Sequence, residues 1–251
     1  MGMNEMKQPP SDSVRRDVLE RLARAMITIT TVAAVLLVTI VGWRIATAQN
    51  EPAAAFLPPP TPTVQPTPTH DPSKPLVGIV AGHSGSDSGA VCPDGLTEAS
   101  INLTIAQMVI DDLRRSGTDA ILLQEFDPRL RDLRADALVS IHADSCNISG
   151  ATGFKVARVT DSAIPRAEDA LVQCIIKTYS DETGLSLHPG SVTDDMTQYH
   201  AFYEVAPTTP GAIIETVFML DDRNLLEKHP QTAAKGIARG IMCFLEGVFG
   251  G

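Results

Sequence analysis

LVGIVAGHSGSDSGA, residues 76–90, decides the fold. Its first half is a short apolar run from Leu76 to Val80; its second half is a polar turn punctuated by Gly82, Gly85 and Gly89. An apolar run of this length ending in a glycine-rich turn reads as a buried strand at the start of an α/β unit. His83 falls at the strand's carboxyl end, where ligands of open α/β sheets gather. Fifteen residues on, Glu98 opens a segment to Arg115 that sets Ile101, Ile105, Met108, Val109 and Leu113 on one helical stripe, with Gly117 as its C-cap.

The alternation continues outward. Further strands are predicted at Ala120–Gln124, Ala137–Ala143, Gly153–Val159 and Ala212–Phe218. Helices are predicted over Ala167–Tyr179, with Leu171, Cys174, Ile175 and Thr178 on one stripe, and over about Thr232–Val248. Leu185–Tyr203 has no clean period and reads as a loop with short elements. Strands alternating with helices predict an α/β fold: one domain, residues 76–251, with a twisted, mostly parallel or mixed sheet flanked by helices.

The sequence before that domain is of another kind. Residues 1–24 are polar and carry Arg15, Arg16, Arg21 and Arg24, whereas Ala25–Trp43 holds no charge. At about 1.5 Å per residue such a helix is long enough to cross a ~30 Å hydrocarbon core. The expectation is a transmembrane signal anchor over residues 25–47, with 1–24 cytoplasmic and the rest extracytoplasmic. A cleavable signal is the alternative, since Ala46-Thr47-Ala48 has the small-x-small pattern; the long apolar run and Arg44 count against it. Cleavage would make the domain secreted, and both readings export it. Residues 48–75 form a Pro-rich linker: nine of the chain's eighteen prolines lie between 51 and 75, which rules out helix and sheet ladders and predicts a semi-rigid spacer. His70 within it reads as a solvated residue. The net charge of −10 speaks against nucleic acid as a partner.

Two more residues share His83's kind of setting. His142 ends the apolar run Ala137–Ala143, and Glu215 interrupts Ile213, Ile214, Val217 and Phe218, where a bare carboxylate is costly. Two imidazoles and one carboxylate have the composition of an open zinc site, and a further carboxylate is what such a site needs as general base. Singly, each has a plainer explanation: a glutamate opening a helix suits its dipole, and a histidine at a strand end can be structural. The conjunction carries the reading.

The local text is more specific still. His83, Gly85, Asp87, Gly89 and Ala90 match an H-G-G-x-D-x-G-A motif with Ser84 replacing one glycine; Glu98 with Asn102, Ser140 to Ala143, and Glu215 with Phe218 supply three more matches. On these four motifs the chain, from about Leu76 to about Leu245, resembles the zinc-dependent N-acetylmuramoyl-L-alanine amidases of the type-3 amidase family. The resemblance implies one Zn2+ held by His83, Glu98 and His142, with Glu215 as general base. It also implies peptidoglycan as substrate, cut at the amide between the lactyl group of N-acetylmuramic acid and the L-alanine of the stem peptide. There are departures. Val80-Ala81-Gly82 stands for the usual aspartate-proline-glycine, Gln124 for an arginine and Asp144 for an asparagine; Asp127 is kept, and the stretch from Asp127 to Ala137 is short.

Four cysteines in an exported domain are compatible with disulfides. If the two histidine motifs meet at one metal, Cys92 and Cys146 come together, and a bridge between them is expected. Cys174 and Cys243 fall on helix stripes, which leaves a second bridge open. His188, His200 and His229 belong to no motif; His200, between Tyr199 and Tyr203, reads as a partly exposed residue, with a substrate contact as the alternative. Two other functions stand beside the amidase: an inactive or autoinhibited domain that binds wall peptides or regulates a partner, and a zinc carboxypeptidase. The first would be expected to have lost a ligand or the base. The second usually carries a histidine-x-x-glutamate pair. The need for a protein activator is left open.

Overall fold

β1 (Leu76–Ala81) is buried from Val77 to Ala81, and this is why it reads as a continuous apolar run rather than an alternating one. With β2 (Asp119–Leu123), β3 (Ala137–Asp144), β4 (Lys155–Ala157) and β5 (Gly211–Phe218) it forms a five-stranded sheet in the order β2-β1-β3-β5-β4. β2, β1, β3 and β5 run parallel, and β4 joins the edge antiparallel to β5. The sheet is therefore mixed and mostly parallel. The computed structural model describes residues 70–249 together with Met26, Leu36, Leu37, Thr39 and Ile40. The chain divides into two units, Met1–Gln65 and Pro66–Gly251. The cytoplasmic segment 1–24, the expected transmembrane anchor at 25–47 apart from those five residues, and most of the linker lie outside the described residues. Among the described residues no helix is long and apolar enough to cross a membrane.

From β1 the chain crosses through α1 (Glu98–Arg115) to β2 on one side, then returns past β1 to lay β3 on the other. The order of strands reverses between β1 and β3, and a crevice opens at such a switch point beyond the strand ends. His83 follows one of these two strands and His142 lies near the end of the other. α1 begins where the sequence indicates: Thr97 caps it, accepting from the backbone N of Ser100, and Ile101, Ile105, Val109 and Leu113 are its buried stripe.

Alternate residues of the strands feed two cores. Val77, Ile79, Val139, Ile141, Ala212 and Ile214 pack against α1, α2 (Pro165–Thr183) and α6 (Pro230–Phe249). Val80, Leu123, Leu138 and Ile213 face the other way, toward Leu130, Met196, Tyr199 and Val205. Leu130 ends a 3-10 turn after β2, while Met196, Tyr199 and Val205 lie in or beside two one-turn helices, α3 (Asp194–Thr197) and α4 (Ala201–Glu204), in the expected loop region; α5 (Arg223–Lys228) precedes α6.

Several strand ends shift by one residue and α6 starts at Pro230, and two further boundaries differ for a physical reason. α2 starts at Pro165 rather than Ala167, because proline suits the first helical turn, where its missing N–H is surplus. β4 has three residues rather than seven: at its start Phe154 pairs with Leu187 instead of β5, and at its end the ladder with β5 stops at Ala157. His70 is exposed, as expected of a solvated residue, yet its Nδ1 lies 3.2 Å from Asp119 Oδ2, and the backbone N of Asp71 donates to the same oxygen. The end of the linker thus lies along the domain.

Candidate metal centre

His83 sits two residues past β1 with φ +64°, a left-handed backbone that a non-glycine residue adopts only when its surroundings hold it there. Its backbone N donates to Glu125 Oε2 at 2.7 Å. Its ring is fixed by Asp87, whose Oδ1 is 2.7 Å from Nδ1, and this turns Nε2 toward Glu98 Oε2 at 3.2 Å. Glu98, the first residue of α1, accepts from the backbone N of Ala90 at 3.0 Å and of Ala143 at 3.2 Å, and from Asn102 Nδ2 at 3.2 Å. Its Oε1 lies 3.1 Å from His142 Nδ1. One donor atom from each of His83, Glu98 and His142 therefore falls within 4.8 Å of the others, the spacing at which a single ion can be held.

His142 projects from the face of β3 that also carries Ser140, whose hydroxyl donates to Tyr199 Oη at 3.1 Å. Glu215 is paired with His142 in the register of β5, so the two share that face. Just beyond, the pairing slips by one residue in a bulge, which re-aims side chains at the strand ends. Glu215 is only partly covered as a residue, but its Oε2 is buried and has no hydrogen-bond partner among the described residues. All four residues line one cleft of about 680 Å3, walled on its far side by Asp194, Gln198 and His200.

Charge and burial set the protonation. The hydrogen bond to Glu98 raises the His83 imidazole to about 9 against the opposing effect of desolvation. Burial works against a charged His142, but the bond to Glu98 and the charges of Glu215, Glu98 and Glu125 outweigh it. Burial would push Glu98 up; its bonds to the two imidazoles hold it well below the carboxylate range. Glu215 has no such bond, and desolvation lifts it to about 7. Glu98 and Glu215 are thus set apart, one held ionised between the two imidazoles and the other poised near neutrality.

With this geometry in view, the comparison with known proteins is direct. Residues 77–243 match the model of the family described as N-acetylmuramoyl-L-alanine amidase. The chain belongs to that family. N-acetylmuramoyl-L-alanine amidase AmiC of Neisseria meningitidis serogroup B is 32% identical over 103 residues, 38% of this chain and 25% of that protein; this chain spans about a quarter of that relative's length. Among solved structures, the catalytic domain of CwlV from Bacillus (Paenibacillus) polymyxa var. colistinus is 27% identical with a TM-score of 0.55, covering 68% of this chain and 98% of that one. AmiC2 of Nostoc punctiforme is 25% identical with a TM-score of 0.53, covering 68% and 97%.

The cysteines and the unassigned residues complete the picture. Cys92 and Cys146 form a disulfide that ties the loop before α1 to the loop after β3, and Cys174 and Cys243 form a second between α2 and α6. The sequence reading passed over two buried side chains beside the site. Glu125, 6% exposed, bonds His83 and, through Oε1, His200 Nε2 at 2.9 Å. Lys155, 3% exposed, is ion-paired with Asp144 and donates to Ser191 O at 3.2 Å. Lys155 had a signal: Asp144 brings a charge where the family has an asparagine, and a buried charge demands a partner. Glu125 had none, because Gln124 and Phe126 on either side form no pattern with it. His200 lines the cleft with both ring nitrogens on carboxylates, so it is a fixed part of the wall.

Proposed function

We propose that this chain is a zinc-dependent peptidoglycan amidase that cleaves the bond between the lactyl group of N-acetylmuramic acid and the L-alanine of the stem peptide. One observation carries the reading: His83, Glu98 and His142 converge while Glu215, on the next strand, keeps an unpartnered buried oxygen beside them. The residues fit the metal. Two imidazoles and one carboxylate form the protein ligand set of an open catalytic zinc site, and Asp87 behind His83 supplies the orienting carboxylate such ligands use.

When bound, zinc supplies Lewis acidity toward the lactyl carbonyl and makes an attacking water more acidic. The chain's own residues do the rest. Glu98 and the two histidines hold the position of the reacting centre. Glu215, with its affinity for a proton raised to near neutrality, takes the proton of the attacking water and returns it to the nitrogen of the leaving L-alanine. Asn102 holds the Glu98 carboxylate by donating to it and to the backbone O of Gly82.

The setting follows from the rest of the chain. The apolar stretch at 25–47 would tether the domain to the cell membrane with the catalytic part outside, and the two disulfides suit an oxidising, extracytoplasmic compartment. The linker would then hold the site within reach of the wall. The test is mass spectrometry of purified peptidoglycan digested with the zinc-loaded chain. Stem peptides with a free N-terminal alanine, beside glycan strands with intact lactyl groups, are expected. Unchanged peptidoglycan from a folded, zinc-containing chain would overturn the reading.

A further inference from the structure

Glu125 is a buried carboxylate outside every motif, and burying one is unfavourable unless it is paired. It lies just past β2, next to the crevice, and four groups converge on it, the Tyr199 hydroxyl and three histidine nitrogens. Oε2 accepts from the backbone N of His83 at 2.7 Å and lies 3.7 Å from His142 Nε2; Oε1 is 2.9 Å from His200 Nε2. His200 is held in turn on its other nitrogen by Glu204 Oε1 at 2.8 Å and covered by the Phe126 ring, stacked with centroids 4.4 Å apart. The carboxylate is thereby locked in place from the side away from the metal cluster.

We propose that Glu125 is a positioning residue of the metal centre that governs both histidine ligands, holding the backbone of His83 and accepting a hydrogen bond from the ring N–H of His142. The proposal rests on the zinc reading above. His83 shows the pattern within the same site: one ring nitrogen faces Glu98 and the other is held by a carboxylate, Asp87. In His142 the nitrogen facing Glu98 is Nδ1. The remaining Nε2 is buried and has no hydrogen-bond partner among the described residues, and the carboxylate oxygen beside it belongs to Glu125. A metal-ligating imidazole gives its second N–H to just such a group. Oε2 has a second lone pair beyond the one His83 uses, and the present gap exceeds a hydrogen bond by less than about 1 Å. With His142 bound through Nδ1, its Nε2–H donates to Glu125. Removing the carboxylate then releases two ligands at once.

The experiment uses the full chain in detergent, with zinc affinity measured by chelator competition for the unsubstituted protein, Glu125→Ala, Glu125→Gln and Glu182→Gln. Glu125→Ala is expected to weaken zinc binding about 10- to 100-fold. Glu125→Gln, which keeps an acceptor for His83, is expected to lose less, and Glu182→Gln, whose carboxylate pairs with Lys235 and Arg239 away from the cleft, nothing. Histidine nitrogen NMR of the zinc-loaded, unsubstituted chain supplies a readout independent of any variant's folding. His142 is expected to coordinate through Nδ1 with a slowly exchanging proton on Nε2. Coordination through Nε2, or full zinc affinity in a folded Glu125→Ala chain, overturns the proposal. An unsubstituted chain that takes up no zinc overturns the metal-centre reading and this proposal with it.

Discussion

A Cβ at Gly82 would stand 2.3 Å from Cε1 of His142 and 2.4 Å from Nε2, so the imidazole occupies the space a side chain there would need. Gly82→Ala should therefore push the ring off its position and weaken zinc binding by about tenfold or more, read by chelator competition, while the sheet stays folded. Unchanged affinity would mean that the ring has another place to go. Substitutions at the two kinds of acidic and imidazole position should separate their roles. Glu215→Gln is expected to retain zinc, assayed by metal content, and to lose about 10²- to 10⁴-fold in turnover, the share a general base contributes. His142→Ala is expected to lose the metal itself. A Glu215→Gln chain that turns over peptidoglycan normally would remove Glu215 from the chemistry. Residues such as Glu215 were legible because a lone carboxylate in an apolar strand is a local contradiction. Glu125 was not, because its role depends on how a loop after β2 meets loops from β1 and β3, and nothing in its own neighbourhood records that.

α2 and α6 pack so closely that a Cβ on Gly240 would come within 2.7 Å of the Ile175 Cα, a backbone atom that cannot swing aside. Thr178 Oγ1, on the same face, donates to Gly236 O at 2.8 Å, and Cys174–Cys243 staples the pair covalently. Gly240→Ala should gain helix propensity and still destabilise the fold by about 1–3 kcal/mol, since the overpacking term wins. Replacing Cys174 and Cys243 by serine should cost about 2–4 kcal/mol. Denaturant unfolding checks both, and a more stable Gly240→Ala chain would show that the two helices can part. The stripes of these helices could be read from their period, which reports each helix's own buried face. Their partnership could not, because period says nothing about which two faces meet. For the same reason the Cys174–Cys243 bridge stayed open, whereas Cys92–Cys146 followed once the two histidine motifs were assumed to share one ion. β4 is shorter than the uniformly strand-like text of residues 153–159, because Phe154 pairs with Leu187 at one end and the ladder with β5 stops at Ala157 at the other.

At the scale of the whole molecule, the alternation of strands and helices predicted a mostly parallel or mixed sheet, but the order β2-β1-β3-β5-β4 had to be observed. That order places the reversal between β1 and β3 and so joins motifs that are distant in sequence. Joining them concentrates titratable groups in one buried place, with a consequence for the stability of the entire fold. In the metal-free chain the bond to Glu98 raises His83 from 6.5 to about 9, so its contribution is complete below pH 6.5 and is lost as pH rises through about 9. Burial lifts Glu215 from 4.5 to about 7, so the folded chain keeps a proton that the unfolded chain releases, and stability is lost as pH rises from 4.5 to 7. Both act in the same direction, each by at most about 1.4 kcal/mol per pH unit within its own window. The metal-free fold should therefore weaken steadily from about pH 5 to pH 9. Zinc, bound as proposed, should reverse the balance, because such ligands bind a metal only after losing their protons, and the stabilisation should grow as affinity grows with pH. Thermal unfolding at pH 5, 7 and 9, with chelator and with zinc, should show a falling Tm in chelator and a widening gap between the two series. Glu215→Gln should flatten the chelator series between pH 5 and 7 and leave the later fall, which belongs to His83 together with His142 and His200, all raised by neighbouring carboxylates. A metal-free Tm that rises over that first interval, together with a zinc increment that does not change with pH, would show that these groups do not meet in one buried site.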